Sequence, residues 1–148
     1  MYASRLAGEP MTAKLPNEND IFFVDDDEME VMLVERYLTH SRVKNNLLAF
    51  GSGEELIEHL VANADDPSKQ PALLLLDMRM PSLDGFEVAK AVRGLPSYSK
   101  TPLIVMFSNS DNPSDIARSK EFGADEYVIK PSDGPAYIEF LNSLVAEV

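Results

Sequence analysis

Leu73-Leu74-Leu75-Leu76 is apolar at four successive positions and then stops at Asp77. An unbroken run suits a strand covered on both faces, because a half-solvated strand places a polar residue at every second position. Ile21-Phe22-Phe23-Val24 repeats the pattern and ends in Asp25-Asp26-Asp27-Glu28. Sheets covered on both faces are parallel sheets whose crossover connections lay helices on either side. Strands must then alternate with helices along the chain.

The intervening segments meet that demand. Met29, Leu33 and Tyr37, with Val31, Val34 and Leu38, recur at helical spacing after a cap at Asp27. Asn46 to Phe50 reads as a second strand, and Gly51-Ser52-Gly53 turns into a helix carrying Leu56, Ile57, Leu60 and Val61 inward. That turn is not a phosphate loop, since Glu54-Glu55 follow where an anion would sit; Ser52 reads as a cap. Beyond the polar connector from Asp65 to Pro71 comes the Leu73–Leu76 strand. A loop from Met78 to Leu83 then leads to a helix opened by Asp84-Gly85 and carrying Phe86, Val88, Ala89 and Val92. Leu103 to Phe107 is the fourth strand, and a helix with Ile116, Ala117 and Phe122 follows the polar loop after it. Tyr127-Val128-Ile129 is the fifth, stopped by Lys130-Pro131, and a closing helix presents Tyr137, Ile138, Leu141, Leu144 and Val145 on one face. The fold class predicted is α/β, a doubly wound parallel sheet of five strands with five helices in three layers.

At 148 residues the chain is expected to form one domain, with no room for a separate output module. Residues 1–19, with scattered Pro10 and Pro16 and no signal-peptide core, read as a mobile tail, and 20–148 as the domain. No apolar run approaches the roughly 18 residues of a membrane span, so a soluble protein is expected. Without cysteine there is no disulfide, thiolate metal site or thiol nucleophile. Thirteen Lys and Arg against 25 Asp and Glu leave a net charge of −12, which repels phosphate backbones and anionic lipid, so nucleic acid and membrane surfaces are not the expected partners.

In a doubly wound sheet, ligands collect beyond the carboxyl ends of the strands. Those ends carry Asp25 and Asp26, Asp77, Ser108 and Lys130. Carboxylates held within a few ångströms repel strongly unless protons or a cation lie between them. An all-oxygen donor set favours Mg²⁺; His40 and His59, placed in helices and read as surface residues, are not expected to bind metal. A carboxylate beside Mg²⁺ suits phosphoryl transfer: Asp77 is the oxygen nucleophile, Lys130 pairs with a phosphoryl oxygen, and the Ser108 hydroxyl donates to another.

Val24-Asp25-Asp26-Asp27, Leu75-Leu76-Asp77-Met78-Arg79-Met80-Pro81-Ser82-Leu83-Asp84-Gly85, Ser108 after the fourth strand, and Tyr127-Val128-Ile129-Lys130-Pro131 together resemble the receiver domain of bacterial two-component response regulators. The match runs from about Asp20 to Val148. The resemblance implies a flavodoxin-like sheet of order 2-1-3-4-5. It implies that Asp77 accepts a phosphoryl group from a phosphohistidine of a sensor histidine kinase or phosphotransfer domain. Mg²⁺ would be bound by Asp26, Asp77 and the backbone carbonyl of Arg79, with Asp25 assisting through water. Lys130 would pair with the phosphoryl group, its bond to Pro131 being cis. Ser108 and Tyr127 would form the switch, which changes the surface of helix four, strand five and helix five for a downstream protein target. Tyr127 is equally readable as a half-buried strand aromatic. Such a domain is cytoplasmic and catalyses only its own phosphorylation and dephosphorylation; self-association through the last helix is compatible with the pattern.

Two positions depart from the commonest form of the family. Arg79 sets a long cation at the mouth of the site, where it would tune phosphate lifetime, and Asn109 stands where small residues are frequent. A Mg²⁺-dependent phosphohydrolase of the haloacid-dehalogenase type is the alternative, but it needs a second acid where Arg79 stands. A flavodoxin-like FMN binder would need a phosphate loop where Asp25-Asp26-Asp27 carries the wrong charge.

Overall fold

The computed structural model describes residues 14–146 and the backbone of residues 3–5. Its strands are β1 (Ala3–Arg5), β2 (Ile21–Val24), β3 (Leu47–Phe50), β4 (Leu73–Asp77), β5 (Leu103–Ser108) and β6 (Glu126–Ile129). The helices are α1 (Glu28–Thr39), α2 (Gly53–Ala62), α3 (Gly85–Gly94), α4 (Pro113–Glu121) and α5 (Gly134–Asn142). All pairings are parallel, and the order is β1-β6-β5-β4-β2-β3. Without β1 this is the expected 2-1-3-4-5.

Alternation along β4 builds the layers. Leu74 and Leu76 face one core with Leu56, Leu60, Phe86, Val88 and Val92 from α2 and α3. Leu73 and Leu75 face the other, with Val34 and Leu38 of α1 and Tyr137, Phe140 and Leu141 of α5. All four leucines are at most 2% exposed, each burial stabilising by about 1.5–3 kcal/mol. Asp27, Ser52 and Asp84 cap α1, α2 and α3 through their side chains, and Asp84 forms a reciprocal capping box with Glu87.

The apolar faces are narrower than the periodicity implied. Met29 is 73% exposed and Val61 57%, because a helix on a sheet buries one stripe and both residues lie at its margin. Phe140, unassigned in the sequence reading, is buried at 1% exposure. His59 is half-buried, its ring against Phe22 and Phe50, whereas His40 is exposed.

The tail expected over residues 1–19 lies outside the described residues at 1–2 and 6–13. Ala3–Arg5 adds a strand to β6, whose outer backbone groups otherwise have no ladder partner. Leu15 donates its backbone N–H to the Leu144 carbonyl and packs on the α1/α5 core, while the Asn45 amide donates to the carbonyls of Asn17 and Asn19. Backbone and amide bonding, invisible to hydropathy, hold these residues. Among the described residues the cis peptide bond is Thr101–Pro102, and the Lys130–Pro131 bond expected to be cis is not. No helix among them is long and apolar enough to cross a membrane.

Candidate functional site

β2 and β4 are adjacent, in register from Ile21 opposite Leu73 to Val24 opposite Leu76, so Asp25 and Asp77 leave the sheet side by side. Gly85 permits a close return of the chain after Asp77. A Cβ there would lie 2.5 Å from the Asp77 carbonyl oxygen, and the Gly85 N–H donates to the Met78 carbonyl at 2.9 Å. On the other side, β5 and β6 bring Ser108 opposite Ile129, which delivers Lys130 to the same rim.

Asp25, Asp26 and Asp77 each offer a carboxylate oxygen within 4.8 Å of the others. Lys130 Nζ lies 3.2 Å from Asp77 Oδ1 and 3.8 Å from Asp25 Oδ2. Together with Arg79, Ser108 and Asn109, these residues line one cavity of about 270 Å³; neither histidine lines it. Asp25 Oδ1 accepts the Asp27 N–H at 2.9 Å, but its buried Oδ2 accepts no hydrogen bond. A buried carboxylate oxygen with no donor, inside a set of hard oxygen ligands, fits a divalent cation.

The electrostatics agree. Burial, joined by the charge of Asp77, pushes the Asp25 carboxyl up to about 6. Burial also raises Asp77, against the opposing pull of Lys130. Burial works against the Lys130 ammonium, but the charges of Asp77, Glu30 and Asp25 outweigh it and hold its pKa above the ordinary lysine value. The site has more negative charge than one lysine neutralises.

Ser108 is buried and turned inward: its Oγ accepts the Ser110 N–H at 3.0 Å and lies 3.8 Å from Met78 Sδ. Tyr127 is fully buried rather than half-buried, and its hydroxyl donates to the Ser110 carbonyl at 2.7 Å. The structure therefore gathers all the sequence-derived residues around the rim except Tyr127, which lies beneath it and reaches the rim through Ser110. Arg79 is exposed and borders a second cavity of about 460 Å³, on the side of Met80, Phe86 and Arg118.

Sequence reasoning missed Glu30 and Met78. Glu30 also lines the cavity, with Oε1 3.4 Å from Lys130 Nζ. Its signal was available, since it stands in the first turn of α1, just after the acidic run Asp25-Asp26-Asp27-Glu28. Met78 read only as a loop residue, and nothing in its type marks it as the neighbour of the Ser108 and Tyr127 hydroxyls, each 3.8 Å from its Sδ.

A parallel α/β sheet with an acid triad and a lysine at its carboxyl rim defines a receiver-type domain. The chain belongs to the response regulator receiver domain family, whose model matches residues 21–142. It is 27% identical over 113 residues to the two-component response regulator ORR1 of Oryza sativa subsp. japonica, covering 75% of this chain and 48% of that protein. The response regulator ArlR of Staphylococcus aureus is 28% identical over 113 residues, covering 76% of this chain and 46% of that one. The chain thus spans about half the length of these curated relatives. Among solved structures, the phosphorylated cyanobacterial phytochrome response regulator RcpA superposes with a TM-score of 0.73 at 25% identity, covering 86% of this chain and 91% of its own.

Proposed function

We propose that the chain is a phosphorylation-controlled receiver in which Asp77 accepts a phosphoryl group from a phosphohistidine of a sensor kinase or phosphotransfer domain, in the cytoplasm. An Asp77 carboxylate oxygen attacks phosphorus, an O–P bond forms as the P–N bond breaks, and the imidazole leaves with a proton. The observation that carries this reading is the 3.2 Å approach of Lys130 to Asp77 inside a cluster of three carboxylates. Lys130 stabilises charge on one phosphoryl oxygen and Ser108 donates to another. Asp26, Asp77 and the Arg79 carbonyl would hold Mg²⁺, with Asp25 assisting; when bound, the cation neutralises charge on the transferring group.

The switch runs through one loop. For the Ser108 hydroxyl to turn to a phosphoryl oxygen it must leave the Ser110 N–H, and the Ser110 carbonyl holds Tyr127. Phosphorylation therefore biases Tyr127 and the α4-β6-α5 surface, where a downstream protein would read the state. Incubation with acetyl phosphate and Mg²⁺ should add the mass of one phosphoryl group to the wild type and none to Asp77→Asn. An increment that persists in Asp77→Asn would move the acceptor elsewhere.

A further inference from the structure

Lys130 faces an acid that the acceptor chemistry does not use. Glu30 Oε1 lies 3.4 Å from Lys130 Nζ, comparable to the 3.2 Å of Asp77 Oδ1. The same Oε1 accepts the Tyr137 hydroxyl from α5 at 2.9 Å. Tyr137 is only 5% exposed, stacks on Tyr37 at 5.0 Å and meets Phe107 edge-on at 6.0 Å. Phe107 in turn lies under the Lys130 ammonium at 5.7 Å and stacks on Phe140. Packing therefore fixes the phenol, and the phenol fixes the carboxylate. Burial and the charge of Glu30 both raise the Tyr137 pKa, so its hydroxyl remains a donor.

We propose that Glu30, oriented by Tyr137, is a positioning residue that shares the Lys130 ammonium with Asp77 and so sets how tightly the receiver holds a phosphoryl group. The inference rests on the reading of Asp77 as acceptor. A phosphoryl group brings more negative charge than the carboxylate it modifies, and Lys130 must serve it. Glu30 opposes this twice: it retains part of the ammonium, and it is a like charge beside the incoming anion. Tyr137 moderates the competition, because a carboxylate already holding one donor draws less on the lysine.

The test is the affinity for beryllofluoride, a phosphoryl mimic, by calorimetry at saturating Mg²⁺. Glu30→Gln should tighten binding by about five- to twentyfold. Tyr137→Phe should act in the opposite direction, weakening it roughly threefold, since Glu30 then leans harder on Lys130. In the Glu30→Gln background, Tyr137→Phe should change nothing. A merely structural role for the pair would weaken binding in both variants and would leave no reversal of sign.

If Glu30→Gln fails to fold, Glu30→Ala takes its place, and binding no tighter than that of the wild type overturns the proposal. Wild type that binds while Glu30→Gln binds no tighter overturns the role of Glu30 alone. Wild type that takes up no beryllofluoride overturns the acceptor assignment and this inference with it.

Discussion

Asp25 is the residue most at odds with its surroundings. Its carboxyl is buried, one oxygen lacks a donor, and its pKa is pushed up to about 6 from the ordinary value of 3.8. The folded state therefore binds this proton more tightly than the unfolded chain does. Across about pH 4 to 6 the folded protein gives it up last, so rising pH removes stability. In chelator, Asp25→Asn should match the wild type at pH 4 and exceed it by about 1–3 kcal/mol at pH 7, read by urea denaturation at both pH values. A constant gap would mean that the carboxylate is not strained by its burial. Which acids matter was largely legible at this scale, because Asp25, Asp26 and Asp77 directly follow apolar strands. Their competition for one lysine was not, because Glu30 reaches Lys130 from a helix 100 residues away in sequence.

At the scale of elements, α3 is locked to the strand ends at the opposite rim by Arg93. Its guanidinium donates to the carbonyls of Gly123, Tyr98 and Pro102 and pairs with Asp125 at 2.7 Å. Asp125 also accepts the Ile104 N–H, so one side chain ties α3 to the starts of β5 and β6. Arg93→Ala would leave several carbonyls without a donor and should cost about 2–4 kcal/mol by urea denaturation. Arg93→Lys keeps the charge but loses the planar fork, and should recover less than half of that loss. Near-neutral effects would assign the tie to packing alone. The existence and order of β2 to β6 and of the helices could be read from apolar runs, caps and turn residues. The clamp could not, since an arginine in the last turn of a helix equally reads as a solvated end.

For the whole molecule, the acidic cavity joins β2, β4, β5 and β6, so a cation bound there holds distant segments together. A ligand that binds only the folded state stabilises it by mass action, by about 2.7 kcal/mol at a hundredfold excess over Kd. Mg²⁺ should raise the thermal unfolding midpoint, chelation should return it, and Asp26→Asn should abolish most of the gain. An unchanged midpoint would remove the metal from the site. The sheet order 2-1-3-4-5 also belongs to this scale; it was available only through family resemblance, because strand spacing does not say which strands are neighbours. Neither β1 nor the anchoring of Leu15 to Leu144 left a hydropathy signal.

By itself the sequence determined the alternation of strand and helix and the acids, hydroxyl and lysine at the strand ends, since these follow from local periodicity and side-chain chemistry. Only the tertiary structure decided that Tyr127 is wholly buried with its hydroxyl on Ser110, that Glu30 and Tyr137 close on Lys130, and that β1 pairs with β6. Those contacts join residues far apart in the chain, and side-chain direction across such distances is set by packing rather than by residue type.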